Sequence, residues 1–306
     1  VSRVPARNRV HAFHDCSIPA LKTLVDSVEQ YDTRLIGQIQ DPGRGRHEIG
    51  RNDSAIGASA LPDDLSWTVP HALSSAEIQG LIDEWSDSCL RLQCAGFAGV
   101  EISAGHGHIF HQFLSPHANR REDEFGGDLE GRTLFLLKLL EQIRQACGTP
   151  FIIGLKLVAN DSISGSIDIE EGMRIAERIS HFRSLDYWTF VWGSHSNTLW
   201  QHLPGAEGPR APYLSHIKRL RGVAPVIKTG ALGYITDPNE AERALTDGTA
   251  DMIFLGRALI ADAAWGEKAR TGHEDQIRYC VSCKTCWRMT VESGGMACHN
   301  NPILAQ

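Results

Sequence analysis

From residue 34 onward, short apolar runs alternate with longer stretches in which apolar residues recur every three or four positions, the signatures of strand and amphipathic helix. Six runs read as strands: 34–40 (RLIGQIQ), 99–104 (GVEISA), 151–158 (FIIGLKLV), 186–192 (DYWTFVW), 224–230 (APVIKTG) and 252–256 (MIFLG). Helical patterns lie between them. One opens on Ser74 or Ser75 as a cap and closes at Gly96, another closes at Gly148, and a helix over 17–30 precedes the first strand. The later strands are apolar on both faces, as parallel strands covered by helices must be, so the chain reads as a parallel α/β sheet. A doubly wound sheet and an eight-stranded barrel compete for that pattern. No glycine-rich dinucleotide loop follows any strand, which favours the (β/α)8 TIM barrel. Six strands fall two short, and a barrel without two staves would expose open edges. The sequence, which starts at Val1, is therefore expected to be part of a longer chain, lacking the first two strands; an intact six-stranded fold is the alternative.

Composition narrows the function. Of 306 residues 42% are apolar, enough for a sizeable core and too many for a disordered chain. Thirty basic against 37 acidic side chains leave a formal charge of −7 with no densely basic window, which argues against nucleic acid as a partner. No run approaches the roughly 18 apolar residues of a membrane span, and the N-terminus lacks a signal-peptide layout, so the expectation is a soluble, cytoplasmic protein. Four of the eight cysteines are scattered, whereas Cys280, Cys283, Cys286 and Cys298 crowd into the last stretch. In a chain of this size such clustering points to a metal site in a reducing compartment rather than to disulfides. The spacing x2, x2, x11 suits a structural zinc or a [4Fe-4S] cluster; three close cysteines and a distant fourth lean toward the cubane.

The densest signal is residues 95–135, AGFAGVEISAGHGHIFHQFLSPHANRREDEFGGDLEGRTLF. This stretch resembles the signature of the Old Yellow Enzyme superfamily of FMN-dependent (β/α)8 barrels. The nearest likeness is to its iron–sulfur branch, that of 2,4-dienoyl-CoA reductase and trimethylamine dehydrogenase. The similarity runs from IPALKTLVDSV through GQIQDPGRG to the terminal cysteines. It implies that Gln38 hydrogen-bonds the flavin pyrimidine edge, and that Lys156 stands where the family usually has arginine, beside flavin N1 and the C2 carbonyl. Lysine keeps the charge there and loses the planar fork. It also implies that Gly230 and Ala231, with Gly256 and Arg257, form the phosphate loops after the last two strands. Asn119, Arg120, Arg121 and Asp123, with Gly126 and Gly127, match the family's long loop after its fourth strand and are read as bracing. For the cysteines the resemblance favours [4Fe-4S], because the family's cluster follows the barrel directly; the x2 between the second and third is similar to the trimethylamine dehydrogenase pattern.

The substrate-facing positions depart from the family. Ene-reductases carry Glu-Ile-His-x-Ala-His/Asn-Gly-Tyr, two donors for an oxyanion and a tyrosine that delivers a proton. Here Ser103 replaces the first donor, His106 keeps the second, and His108 takes the tyrosine's place. Histidine transfers protons near neutral pH, yet the oxyanion pair is weakened, which bears against ordinary enone reduction. His111 is read as structural. Trp188, Trp192, Trp200 and Trp287 raise a methylated-amine cage held by cation–π attraction, with Trp200 closest to a bowl position of the relatives and core packing the competing reading.

The resulting expectation is an FMN barrel over 1–278 followed by a cluster-binding segment over 279–306. It is an oxidoreductase moving a hydride between a small organic substrate and FMN, with electrons relayed through the cluster to an electron-transfer protein. A substituted amine is the preferred substrate; NAD(P)H-dependent ene or dienoyl-CoA reduction is the alternative. A non-catalytic flavin or electron-relay module and a zinc scaffold are the readings from other classes. The resemblance further implies an NAD(P)H- or FAD-binding region beyond Gln306. Homo-oligomerisation is left open.

Overall fold

The computed structural model describes residues 11–45, 54–182, 184–293 and 295–305. It divides into two compact units, Val1–Thr198 and Leu199–Gln306.

The first unit opens with α1 (Ile18–Glu29), whose Pro19 suits the first helical turn, where a missing N–H costs nothing. Then come β1 (Ile36–Ile39), the two-residue strands β2 (Ile56–Gly57) and β3 (His71–Ala72), α2 (Ser75–Cys94) and β4 (Gly99–Ala104). They are followed by α3 (Ile109–Leu114), α4 (Leu129–Cys147), β5 (Ile152–Asn160), α5 (Ile169–Ser180) and β6 (Tyr187–Trp192). Strands β1, β4, β5 and β6 pair side by side and all parallel, in the register Gln38↔Glu101, Ser103↔Lys156 and Lys156↔Thr189. Both faces of β4 and β6 are buried throughout, as their unbroken apolar runs require. The separate parallel pair β2–β3 is too short to leave a pattern in the sequence.

Helix α2 starts on a capping box: Ser74 accepts from the Glu77 amide while the Glu77 carboxylate accepts from the Ser74 amide. The Ser74 amide and the Ser74 hydroxyl both donate to the Glu77 carboxylate and, with His71 beside them, hold it down at about 2. Apolar faces of α2, α3 and α4 meet in an aromatic cluster in which the Trp85 ring lies 5.1 Å from Phe110 and 5.8 Å from Phe135. Such burial is worth roughly 2–3 kcal/mol per large side chain. The 114–127 stretch is braced as its charges suggest. Asn119 donates to the carbonyls of Phe113 and Phe125, both at 2.8 Å, and Arg121 reaches Asp123 and the carbonyls of Ala58 and Leu73.

The second unit holds α6 (Leu199–His202), α7 (Leu214–Arg221), β7 (Lys228–Ala231), α8 (Pro238–Thr246), β8 (Met252–Ile253), α9 (Arg257–Ala261), α10 (Trp265–Arg270) and α11 (Thr285–Ser293). Strands β7 and β8 pair parallel through Gly230↔Met252 and Ala231↔Ile253. Both are shorter than the apolar runs 224–230 and 252–256 suggest. The Ala224-Pro225 step turns the chain before any ladder begins, with the Ile227 amide closing back on the Ala224 carbonyl at 3.1 Å. After Ile253 only the Phe254 amide still reaches β7, at 2.8 Å from the Ala231 carbonyl. No described helix is long and apolar enough to cross a membrane.

Candidate active site

The C-terminal ends of β1, β4, β5 and β6 carry the polar chemistry of the first unit, where parallel α/β folds place their sites. Two of the predicted flavin-binding side chains converge on one carboxylate. Gln38 donates to Glu101 Oε1 at 2.6 Å and the Lys156 ammonium lies 2.9 Å from the same oxygen. Glu101 is buried, and Tyr187 donates to its other oxygen at 3.2 Å. Burial, and then the neighbouring Glu101 charge, push the Tyr187 hydroxyl well above its ordinary range, so it remains a donor. Gln38 is exposed and Lys156 partly so, which leaves an amide on β1 and a cation on β5 accessible on either side of β4. A flavin pyrimidine edge, with its carbonyl oxygens and ring N–H, fits such a pair.

Beyond the strand ends lies a cleft of about 550 Å³ open to solvent, lined by His106, His108, His195, Arg44 and Gln112 among others. Its floor is the turn after β4. His106 (φ +59°) and Gly107 (φ +86°) both sit in the left-handed region, one held there by its neighbours and the other free of a Cβ penalty. His108 Nε2 accepts from the Gln40 amide at 3.0 Å, so the ring proton resides on Nδ1, facing Ser103 Oγ at 3.1 Å. His108 and Ser103 are thus brought together by the fold. The His195 ring, from the loop after β6, stacks on His108 at 5.0 Å and meets His106 edge-on at 5.6 Å. The His195 amide donates to the His106 carbonyl at 3.1 Å, stitching the two loops.

Sequence reasoning missed His195, Gln40 and Asp161. His195 sits in Gly-Ser-His-Ser-Asn, a composition that reads as plain turn; its one cue is a place just past a buried strand's C-terminal end. His111, read as structural, is a buried strut. Its Nδ1 accepts the Gly107 amide at 2.8 Å and its Nε2 donates to Asp161 at 3.0 Å. Burial works to raise the Asp161 carboxyl, but hydrogen bonds from His111, Ser166 and the Ile163 amide prevail and hold it below its usual range.

Trp188 and Trp192 are buried in β6, Trp200 is 62% exposed on α6, and Trp287 meets His202 edge-on at 5.5 Å in the second unit. None of the described residues that line the cleft is Trp, Tyr or Phe. Trp200 projects outward because its helix is four residues long with no buried face.

In the second unit Gly230 and Ala231 end β7 in buried positions, and Gly256 precedes α9 with open space where a Cβ would stand. The Arg257 guanidinium turns to the cysteine segment. It bonds Ser282 Oγ and donates to the Pro204 carbonyl at 2.8 Å. Cys280, Cys283, Cys286 and Cys298 line a single cavity of about 320 Å³, and none of the eight cysteines is paired in a disulfide. Among the described residues, no three His, Cys, Asp or Glu side chains converge closely enough to hold one ion.

Parallel strands bearing helices, a polar cleft at their C-terminal ends and a cysteine-lined cavity are the features of a cofactor-dependent α/β enzyme. The model of the NADH:flavin oxidoreductase / NADH oxidase family matches residues 3–276, and the chain belongs to this family of FMN-dependent oxidoreductases with the α/β TIM-barrel fold. An NADH oxidase of Thermoanaerobacter brockii is 32% identical over 263 residues, 85% of this chain and 40% of that protein. N,N-dimethylglycine/sarcosine dehydrogenase of Chromohalobacter salexigens is 29% identical over 275 residues, 89% of this chain and 40% of that protein. A solved 2-naphthoyl-CoA reductase in complex with 2-naphthoyl-CoA superposes with a TM-score of 0.86 at 25% identity, over 95% of this chain and 46% of its own. The chain spans about 40% of the length of these curated relatives.

Proposed function

We propose that this chain is the flavin-binding part of an oxidoreductase that reduces a conjugated carbonyl compound at the cleft above β4–β6. Single electrons would be relayed through a [4Fe-4S] cluster on Cys280, Cys283, Cys286 and Cys298, in the 279–306 segment. The observation that carries the substrate class is the cleft wall: His106, His108 and His195 stand together there, with no Trp, Tyr or Phe among the described lining residues. Imidazole N–H groups suit a carbonyl oxygen that gains negative charge, whereas a methylated ammonium asks for aromatic faces. Bound FMN would supply two-electron exchange with the substrate. The protein's own groups then have defined work. Gln38 and Lys156 hold the pyrimidine edge, His106 and His195 orient the carbonyl, and His108 keeps a proton at Nδ1 beside Ser103. The cysteine-lined cavity supports a cubane better than a single zinc. A cubane asks each thiolate to meet a different iron, so the sulfurs need not converge on one point.

A second reading, oxidation of a substituted amine, is favoured by the likeness to N,N-dimethylglycine/sarcosine dehydrogenase. Anaerobic visible spectroscopy of the purified holoenzyme separates the two. The flavin band should bleach with NADH or NADPH, return on adding an α,β-unsaturated ketone or enoyl thioester, and ignore dimethylglycine and trimethylamine. Bleaching by an amine, with no reoxidation by the enone, would transfer the site to amine chemistry. Iron and acid-labile sulfide should each approach about four per chain; zinc in their place would remove the relay.

A further inference from the structure

We propose that Arg257 is the fixed cation that sets the reduction potential of the cluster, acting from beside the thiolates as a positioning and electrostatic residue rather than as a ligand. The inference rests on the [4Fe-4S] reading above. Its basis is a set of contacts within the second unit. Arg257 lines the same cavity as Cys280, Cys283, Cys286 and Cys298. One guanidinium nitrogen bonds Ser282 Oγ, a second donates to the Pro204 carbonyl at 2.8 Å, and the group lies 5.6 Å over the Tyr234 ring. Ser282 is itself buried between two of the cysteines, donates to the same Pro204 carbonyl at 2.9 Å, and points its amide at Cys280 Sγ at 3.4 Å. The backbone there adopts left-handed angles at Ser282 (φ +52°) and Lys284 (φ +62°), so the ligand-bearing loop is held in a demanding shape while the guanidinium grips its middle.

Charge makes the arrangement informative. The other cation at this cavity, Lys284, is paired with the Glu207 carboxylate at 2.5 Å. The Arg257 guanidinium bonds instead to a hydroxyl and a carbonyl, which are neutral, and although the Glu207 carboxylate lies within reach of its charge, the Cys283 and Cys286 thiols feel it as well. Reduction adds one electron to a cluster already surrounded by four thiolates. A cation fixed nearby in a partly dehydrated cavity favours the reduced form and raises the potential, and it does so most effectively when it cannot move away. The family resemblance implies a different task for this arginine, clamping the flavin phosphate. The two tasks predict different losses on mutation.

The experiment is a potentiometric titration of holoenzyme followed by electron paramagnetic resonance of the reduced cluster, with iron, sulfide and FMN content measured on the same samples. Arg257→Gln should keep wild-type iron and sulfide and shift the cluster midpoint to more negative potential; Arg257→Lys should recover most of that shift. An unmoved midpoint in Arg257→Gln with a full cluster overturns the proposal, as does loss of FMN with the midpoint unchanged, which would make Arg257 a phosphate clamp only. Ser282→Ala keeps the guanidinium but unties it. A smaller shift in the same direction is expected there, and no shift counts against the proposal even if Arg257→Gln fails to assemble a cluster. A wild-type protein lacking iron would defeat the underlying cluster reading instead, and the metal content shows that before any variant is made.

Discussion

His111 donates to Asp161 at the end of β5 and accepts the Gly107 amide, so one buried imidazole ties a strand end to the left-handed turn that presents His106 and His108. Neither His111 nor Asp161 needs to touch a substrate for this to matter. Asp161→Asn removes the charge that orients His111 while preserving size, and loss of a buried charge-assisted bond costs about 1.5–3 kcal/mol. Turnover should fall about tenfold or more as the turn loses its fixed shape, while FMN content stays at the wild-type level, since the proposed flavin contacts Gln38 and Lys156 are untouched. Steady-state kinetics with a flavin assay checks it; unchanged turnover would show that the turn is held without Asp161. At this same scale the sequence was uneven in what it revealed. Gln38 and Lys156 stand out because polar side chains interrupt apolar strands. His195 and Asp161 sit in Ser- and Asn-rich loops, where a functional residue and a solvated one look alike until the strands bring them together.

Helix α5 crosses β5 so closely that a Cβ on Gly172 would lie 2.2 Å from the Ala159 carbonyl oxygen, with backbone on both sides of the clash. The helix is amphipathic, capped by Asp168, and packs Ile175, Ala176 and Ile179 inward. Gly172→Ala should therefore destabilise the fold by about 1–3 kcal/mol even though alanine is the better helix former, because backbone cannot step aside as a side chain can. Urea denaturation measures this; a neutral or stabilising result would mean the helix can ride outward from the strand. Elements of this kind were the legible part of the sequence. The predicted strand 99–104 matches β4, and the predicted helix 17–30 contains α1, because long periodic patterns record which faces are buried. Two features left little trace: strands β2 and β3 have two residues each, and α3 is buried all round, so no polar face marks it as a helix. The apolar runs 224–230 and 252–256 did signal β7 and β8, which neighbouring turns make shorter than the runs.

Across the whole chain, stability should weaken in acid, and the carboxylates show where. Asp262 is buried; burial opposes its ionisation, but bonds from the Arg278 amide, the Lys268 ammonium and the Ala264 amide outweigh that and hold it at about 2. Asp161 in the first unit is lowered by its own bonds in the same way. Each such group is more acidic folded than unfolded, where an aspartate titrates near about 3.9. Its stabilisation is present in full above that value and is lost as pH falls toward the folded pKa. The denaturation midpoint should thus stay nearly flat from neutrality to about pH 4.5 and fall as pH drops from about 4 toward about 2, the window that Asp262 defines. Protonating the carboxylates also leaves 30 Lys and Arg and 14 His side chains unopposed, so self-repulsion steepens the fall. Asp262→Asn separates the local effect from the global one. It should lower the midpoint at pH 7 and flatten the slope between about pH 4 and 2, because the residue can no longer release its proton on folding. Urea titrations at a series of pH values, followed by circular dichroism, test both; an unchanged slope in the variant would assign the acid response to net charge rather than to this buried carboxylate.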